Sequence, residues 1–155
     1  MNFESTERLL RNHSFTERMT DDQVRFMLGC MKNIRYPAGE YLFREGSHAD
    51  SLFLLRTGKV ALEVHAPGSG PKQLETLGEG DVLGWSVLFP PHTWSVDCRA
   101  LEPTVALTFD GQCLRQKIEQ DLPFAYAITR RLLYVVHRRL ERARLHEVDV
   151  YGGRG

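Results

Sequence analysis

Hydrophobic and polar positions alternate with three different rhythms along this chain. In the first 35 residues apolar side chains recur at helical spacing. Phe3, Leu9 and Leu10 share one side of a short segment, and Val24, Phe26, Met27, Met31 and Ile34 form the apolar face of a second. Thr20 starts that second segment: its hydroxyl can accept an amide proton while Gln23, three residues on, returns the bond as a capping box. The spacing predicts helices throughout residues 1–35.

From Tyr36 the rhythm shortens. Tyr41–Phe43, Leu52–Leu55, Val60–Val64, Leu74–Leu77, Ser95–Cys98 and Thr104–Phe109 are short apolar or β-branched runs of strand length, separated by glycines. Regularly spaced short strands predict a small antiparallel barrel or sandwich over residues 36–110. Ala66–Pro71 is the most turn-rich stretch and reads as an exposed hairpin tip. After Asp110 helical spacing returns, first over Gly111–Glu119 and then from about Asp121 to His146. Pro123 falls in the opening turn of the second helix, where its missing amide hydrogen costs little. Ala125, Ile128, Leu132, Val136, Leu140 and Ala143 then recur at intervals of three and four, a continuous apolar stripe. The strand region is too small to cover all of it, so the surplus predicts a homodimer through helix 121–146.

Three motifs sharpen this outline. Tyr36-Pro37-Ala38-Gly39-Glu40-Tyr41-Leu42-Phe43-Arg44-Glu45-Gly46, Leu52-Phe53-Leu54-Leu55-Arg56-Thr57-Gly58-Lys59-Val60 and Gly78-Glu79-Gly80-Asp81-Val82-Leu83-Gly84 occur in that order. Together with the order of elements they resemble the cyclic-nucleotide-binding domain, the sensor half of the bacterial Crp/Fnr regulators. The resemblance implies an α+β, mainly β fold: an antiparallel, jelly-roll-like β-roll (a double-stranded barrel) flanked by N-terminal helices and a long C-terminal helix. A single domain then fills residues 1–155, with helices over 1–35, the roll over 36–110 and C-terminal helices over 111–148.

In nucleotide-binding members of that family, an acid following the last glycine of the third motif accepts a hydrogen bond from the ribose, and an arginine nine residues later pairs with the cyclic phosphate. Laid ungapped on this chain, those positions hold Trp85 and Trp94. Each missing contact is worth about 1.5–3 kcal/mol, so ordinary cyclic-nucleotide binding is expected to weaken roughly a hundredfold to ten-thousandfold. The resemblance places the ligand-binding residues at Gly84, Trp85, Ser86, Val87, Trp94, Ser95 and Val96. Tyr126 and Tyr134 on the long helix are the candidate lid. Two readings remain open: a sensor for cAMP, cGMP or another small anionic or aromatic ligand, or a ligand-free interaction subunit whose pocket Trp85 and Trp94 plug.

Composition adds limits. With 155 residues, 42% of them hydrophobic, the chain can fold as one domain without disulfide or metal staples. Twenty basic and twenty acidic residues cancel, so any electrostatic function must be local. The charge is unevenly placed: residues 1–110 hold 11 basic and 15 acidic side chains, a net −4, whereas residues 111–155 hold 9 and 5, a net +4. The surplus lies on the long helix as Arg130, Arg131, Arg138, Arg139, Arg142 and Arg144. It is read as a solvated face beside the dimer seam, with docking of an acidic partner or nucleic acid as the alternative.

No catalytic or metal-binding set is expected. Histidines 13, 48, 65, 92, 137 and 146 are dispersed, with no HxH pair and no nucleophile beside a base, so the chain is read as a non-enzyme. His65 and His92 are read as surface residues. Cys30, Cys98 and Cys113 lie far apart and are read as buried structural thiols, which suits a reducing cytoplasm. The charged N-terminus is not a signal peptide, and no apolar run has the length of a membrane span. The sequence stops soon after the long helix, so a helix-turn-helix and direct sequence-specific DNA binding are not expected.

Overall fold

The computed structural model of the chain describes residues 3–152. Helix α1 spans Phe3–Arg11, a 3-10 turn spans Ser14–Thr16, and α2 spans Asp21–Leu28. Thr20 and Gln23 close the expected capping box, with bonds of 3.2 and 3.0 Å. The Phe3 side chain and residues from His146 onward, which the helical patterns included, lie outside the described side chains.

Residues 31–35 are not helical. Helix α2 stops at Leu28, and Met31–Tyr36 form strand β1, hydrogen-bonded from Met31 opposite Phe109 to Tyr36 opposite Thr104. Gly29 caps the helix C-terminus, a stop that the helical spacing of Met31 and Ile34 obscures. Strands β2 (Tyr41–Phe43), β3 (Ser51–Thr57), β4 (Lys59–Ala66), β5 (Gly70–Gly78), β6 (Val82–Leu83), β7 (Asp97–Ala100) and β8 (Thr104–Asp110) follow. They form two antiparallel four-stranded sheets, ordered β1-β8-β3-β6 and β2-β7-β4-β5. The roll is thus a pair of facing sheets, and the β4–β5 hairpin turns over Ala66–Gly70 as its composition predicts.

Successive residues Leu52, Phe53, Leu54 and Leu55 are all buried. Because neighbouring side chains in a strand point to opposite faces, the sheet holding β3 is covered on both sides. Phe53 points into the roll, where its ring lies near those of Tyr36, Phe43 and Trp94. The helices cover the other face, where Phe26 of α2 meets Phe124 edge-to-face at 4.9 Å.

Two helices complete the chain: α3 (Gly111–Gln120) and α4 (Leu122–Gly152). Asp110 and Asp121 cap them, accepting the Cys113 and Phe124 amides at 2.9 Å each. Phe124, Ile128 and Leu132 of α4 are buried, whereas Val136 and Leu140 of the same stripe are exposed. Buried His13 ties the N-terminal turn to the roll. Its Nδ1 accepts the Phe15 amide at 3.1 Å, so Nε2 carries the proton and donates to the Leu55 carbonyl at 3.0 Å. Burial lowers its pKa, keeping the ring neutral.

The cysteines depart from the thiol reading. Cys30 and Cys113 form a disulfide, and Cys98 alone is free, buried, with its thiol pushed up to about 12 by desolvation. The argument from unpaired cysteines to a reducing compartment therefore falls. Among the described residues, no helix is long and apolar enough to cross a membrane.

The outer face of the second sheet holds a charged cluster. Glu63 and Asp97 sit directly opposite one another on β4 and β7, both buried. Like charges in that position repel, and cations answer each. Arg99 grips Glu63 with bonds of 2.9 and 3.1 Å, while Asp97 accepts the Glu45 amide at 2.7 Å and meets His65 Nδ1 at 2.7 Å and Arg44 at 3.4 Å. His65 is therefore part of the cluster rather than a free surface residue. The Arg99 hydrogen bond lowers the Glu63 pKa against the opposing effect of burial. At Asp97 burial is the largest single effect and acts upward, yet the Glu45 amide, Arg44 and His65 together outweigh it and lower the pKa. Carboxyls with depressed folded-state pKa values stabilise the fold above their unfolded values of about 4 and lose that contribution as pH falls. The melting temperature is thus expected to hold above about pH 5 and to drop below about pH 4. Asp97→Asn should flatten that drop in a pH series of thermal melts; an unchanged profile would show that Asp97 is not responsible.

Candidate functional site

The segment between β6 and β7 forms the floor of a pocket at the mouth of the roll. Gly84, at φ +93°, is the N-cap of a 3-10 turn over Trp85–Leu88. Positive φ favours glycine there, and space demands it. A Cβ at residue 84 would lie 2.7 Å from the Ser51 carbonyl and 3.1 Å from the Trp94 ring. Phe89, the cis Pro90–Pro91 bond and His92, at φ +57°, then turn the chain back. Residues His48 and Thr93 pair as an isolated bridge. The turn delivers Trp94 into the roll, where it is 5% exposed and stacks on Phe43 with centroids 3.9 Å apart and planes 17° from parallel. Strand β7 begins only at Asp97. Ser95 and Val96, which the strand pattern included, lie outside the strand at the pocket lip, with Val96 packed against the core.

A cavity of about 290 Å3 remains beside the Trp94 ring. Gly84, Trp85, Ser86, Trp94, Ser95 and Val96 all line it. Of the seven residues expected to bind ligand, only Val87 does not: it is fully buried, its carbonyl accepts from Arg115 at 2.6 Å, and its Cβ lies against Gly111 of α3. Val87 anchors the loop to the helices instead.

The two candidate lid tyrosines lie away from the cavity. Tyr126 is 64% exposed and lines a different groove, and Tyr134 lies beside Arg131; neither borders the roll cavity. The α4 residue that does is Arg139, whose side chain is only 14% exposed. Its guanidinium stacks 4.7 Å from the Trp85 ring centroid and binds Glu75 of β5 through Nη2 to Oε2 at 2.6 Å and Nε to Oε1 at 3.3 Å. A bidentate, partly dehydrated pair of this kind is strong and directional. It fastens the long helix to the roll across the cavity mouth. Arg139 was legible in principle: Ile128, Leu132, Val135 and Arg139 follow at intervals of four, three and four, so it shares the helix face that packs inward. Grouping it with the other arginines as a solvated face hid that register.

The cavity therefore offers two indoles, two serine hydroxyls and the Arg139 guanidinium paired with the Glu75 carboxylate. Among the described residues, no group of three or more histidine, cysteine or acidic side chains could hold a metal ion.

Facing antiparallel sheets, a glycine-led loop between β6 and β7 and a long helix fastened across the mouth define a domain of the β-roll type. Residues 33–121 match the model of the cyclic nucleotide-binding domain, and the chain belongs to that family. Among solved structures it is similar to a putative cyclic nucleotide-binding protein from Geobacter metallireducens, with 27% identity, a TM-score of 0.77 and coverage of 88% of this chain and 98% of that one. Among curated proteins it is 28% identical over 120 residues to the CRP-like cAMP-activated global transcriptional regulator of Mycobacterium tuberculosis, covering 77% of this chain and 52% of that protein. It is 27% identical over 117 residues to human cGMP-dependent protein kinase 2, covering 74% of this chain and 15% of the kinase. The chain thus spans about half the length of the first of these curated relatives and a small part of the second.

Proposed function

We propose that the chain is a regulatory, non-catalytic sensor that takes a small anionic or aromatic ligand in the roll cavity and reports occupancy through α4. The observation that carries this reading is the Arg139–Glu75 pair across the cavity mouth. In nucleotide-binding relatives the resemblance places the phosphate-pairing arginine in the loop; here the cation comes from the helix. A ligand anion competing with Glu75 for Arg139 changes what holds α4 against the roll, which supplies the differential affinity that a two-state response needs. The 290 Å3 cavity lies near the lower end of the range of about 300–1,000 Å3 typical of ligand sites, so the ligand is small.

A second copy of the chain is the proposed reader of α4. Tyr126, Leu133, Val136 and Leu140 form an exposed apolar row, Leu133 at 69% exposure, and the first three border a groove of about 870 Å3 against Phe89 and Pro90 of the ligand loop. A dimer seam there links the helix and the loop. Light scattering at micromolar concentration is expected to give twice the chain mass.

Thermal-shift and calorimetric titration with cAMP, cGMP and small aromatic carboxylates test the sensor reading. A true ligand at a hundred times its Kd should stabilise the fold by about 2.7 kcal/mol, and Arg139→Ala should abolish the effect. If none of these probes stabilises the native chain, the second reading takes its place: an interaction subunit whose pocket is plugged by Trp85 and Trp94. The stack of Trp94 on Phe43 is the observation in favour of that reading.

A further inference from the structure

A second cleft lies outside the roll, on a neighbouring face of α4. Arg131, Val135, Arg138 and Arg142 are spaced by four, three and four residues, which stacks them along one side of the helix. That side closes a cleft of about 130 Å3 against the Ser14–Thr16 turn and the Gly80–Val82 segment. Arg131, Arg138, Arg139 and Arg142 all line it, and Asp81 is the one carboxylate among the lining residues, while Glu75 and Glu141 pair with Arg139 and Arg138 from outside the cleft.

The four guanidiniums are not equivalent. Arg131 is fixed by donating to the Phe15 and Ser14 carbonyls at 2.8 and 3.0 Å, and Arg139 is fixed by Glu75. Arg138 and Arg142 are about half exposed, and their nearest carboxylate oxygens, on Glu141 and Asp81, are 3.8 and 3.6 Å away. Neither distance is a hydrogen bond. Both are therefore long, half-exposed ion pairs rather than fixed hydrogen bonds, and they lie beside two immobilised cations. Such an arrangement is repulsive when empty and strongly attractive to a compact anion with several acceptor oxygens. Guanidinium forks match tetrahedral oxyanions in both charge and geometry. The volume admits one such group and leaves anything attached to it in solvent.

We propose that this cleft binds a dianionic phosphate, either the free ion or a terminal phosphate monoester, with Arg131 and Arg139 as fixed walls and Arg138 and Arg142 closing over it. A cyclic phosphodiester carries one charge and no terminal group, so it matches the cleft less well. The proposal stands whether the roll cavity holds a ligand or is plugged. Because Arg139 borders both spaces, an anion in the cleft also bears on the helix latch.

The test is calorimetric titration of the full chain with inorganic phosphate and, separately, adenosine 5′-monophosphate, with potassium chloride holding ionic strength constant. Saturable binding of one anion per chain is expected. The double substitution Arg138→Ala, Arg142→Ala should weaken it at least about tenfold. Asp81→Asn should tighten it several-fold, because a repelling charge is removed while the amide oxygen can still accept the Gly78 amide that Asp81 holds at 2.9 Å. A gain in affinity cannot come from a misfolded chain. Equal affinity for the two probes assigns the free ion, and preference for the nucleotide assigns the monoester. No saturable binding at matched ionic strength, or binding unchanged in the double variant, overturns the proposal.

Discussion

Trp94→Ala is expected to destabilise the fold by about 3–5 kcal/mol, the usual cost of removing a buried aromatic side chain, read as a shift in the urea unfolding midpoint. The indole is sandwiched in the roll, stacked on Phe43 and tilted toward Phe53, and the Gly84 backbone is shaped around its outer ring. Its neighbours Phe43 and Phe53 can close over its place only by moving β2 and β3, and β3 is paired on both sides. The vacated space would join the existing 290 Å3 cavity, so free indole should restore part of the lost stability to the variant while leaving the native chain unaffected. A loss below about 1 kcal/mol would place Trp94 outside the core and remove the physical basis for the plugged alternative. The same variant separates the two functional readings. A sensor that normally uses the residual cavity loses its fit when the indole goes, whereas a plugged pocket acquires one.

The parts of this molecule that announce themselves locally were legible in the sequence. The capping box at Thr20 and Gln23, the β4–β5 hairpin and the inward face of α4 at Ile128 and Leu132 all follow from short-range rules. Strand β1 was not, because Met31–Tyr36 lies at the edge of its sheet, is only partly covered and shows no clean alternation. Its residues Met31 and Ile34 happen to continue the spacing of α2. Two-residue β6 is too short to carry any pattern. Six of the seven expected pocket residues line the cavity because they lie together in one loop. Glu75 and Arg139 come from elements 64 residues apart and meet only when the hairpin and the long helix are both in place. Missing β1 also concealed the disulfide. Pairing Met31 with Phe109 puts Cys30 beside Asp110, whose amide donates to the Cys30 carbonyl at 3.0 Å, and Cys113 follows in the next helical turn.

That bridge carries the second large effect. Cys113→Ser should cost about 2–5 kcal/mol, toward the upper end because the bond closes a loop of 83 residues. The stabilisation comes mainly from the unfolded state: without the bond, the ends of that loop gain freedom that the folded chain never had. Chemical denaturation of the native chain with dithiothreitol should reproduce the variant's midpoint, whereas reductant should leave the variant where it is. Thiol titration gives an independent count. Cys98 is buried beneath the sheet with its thiol pushed up to about 12 by desolvation, so the folded chain should react slowly. Unfolding without reductant should expose one reactive thiol and unfolding with reductant three, and three in both cases would show that the bridge is absent. The position of the bond gives it reach beyond stability. It pins the turn after α2 to the first turn of α3, and α3 leads through Asp121 directly into α4. The helix that latches the cavity through Arg139 is thereby referenced to the N-terminal helices by a covalent tie. Opening that tie should lower the free energy needed to displace α4 as well as the free energy of global unfolding.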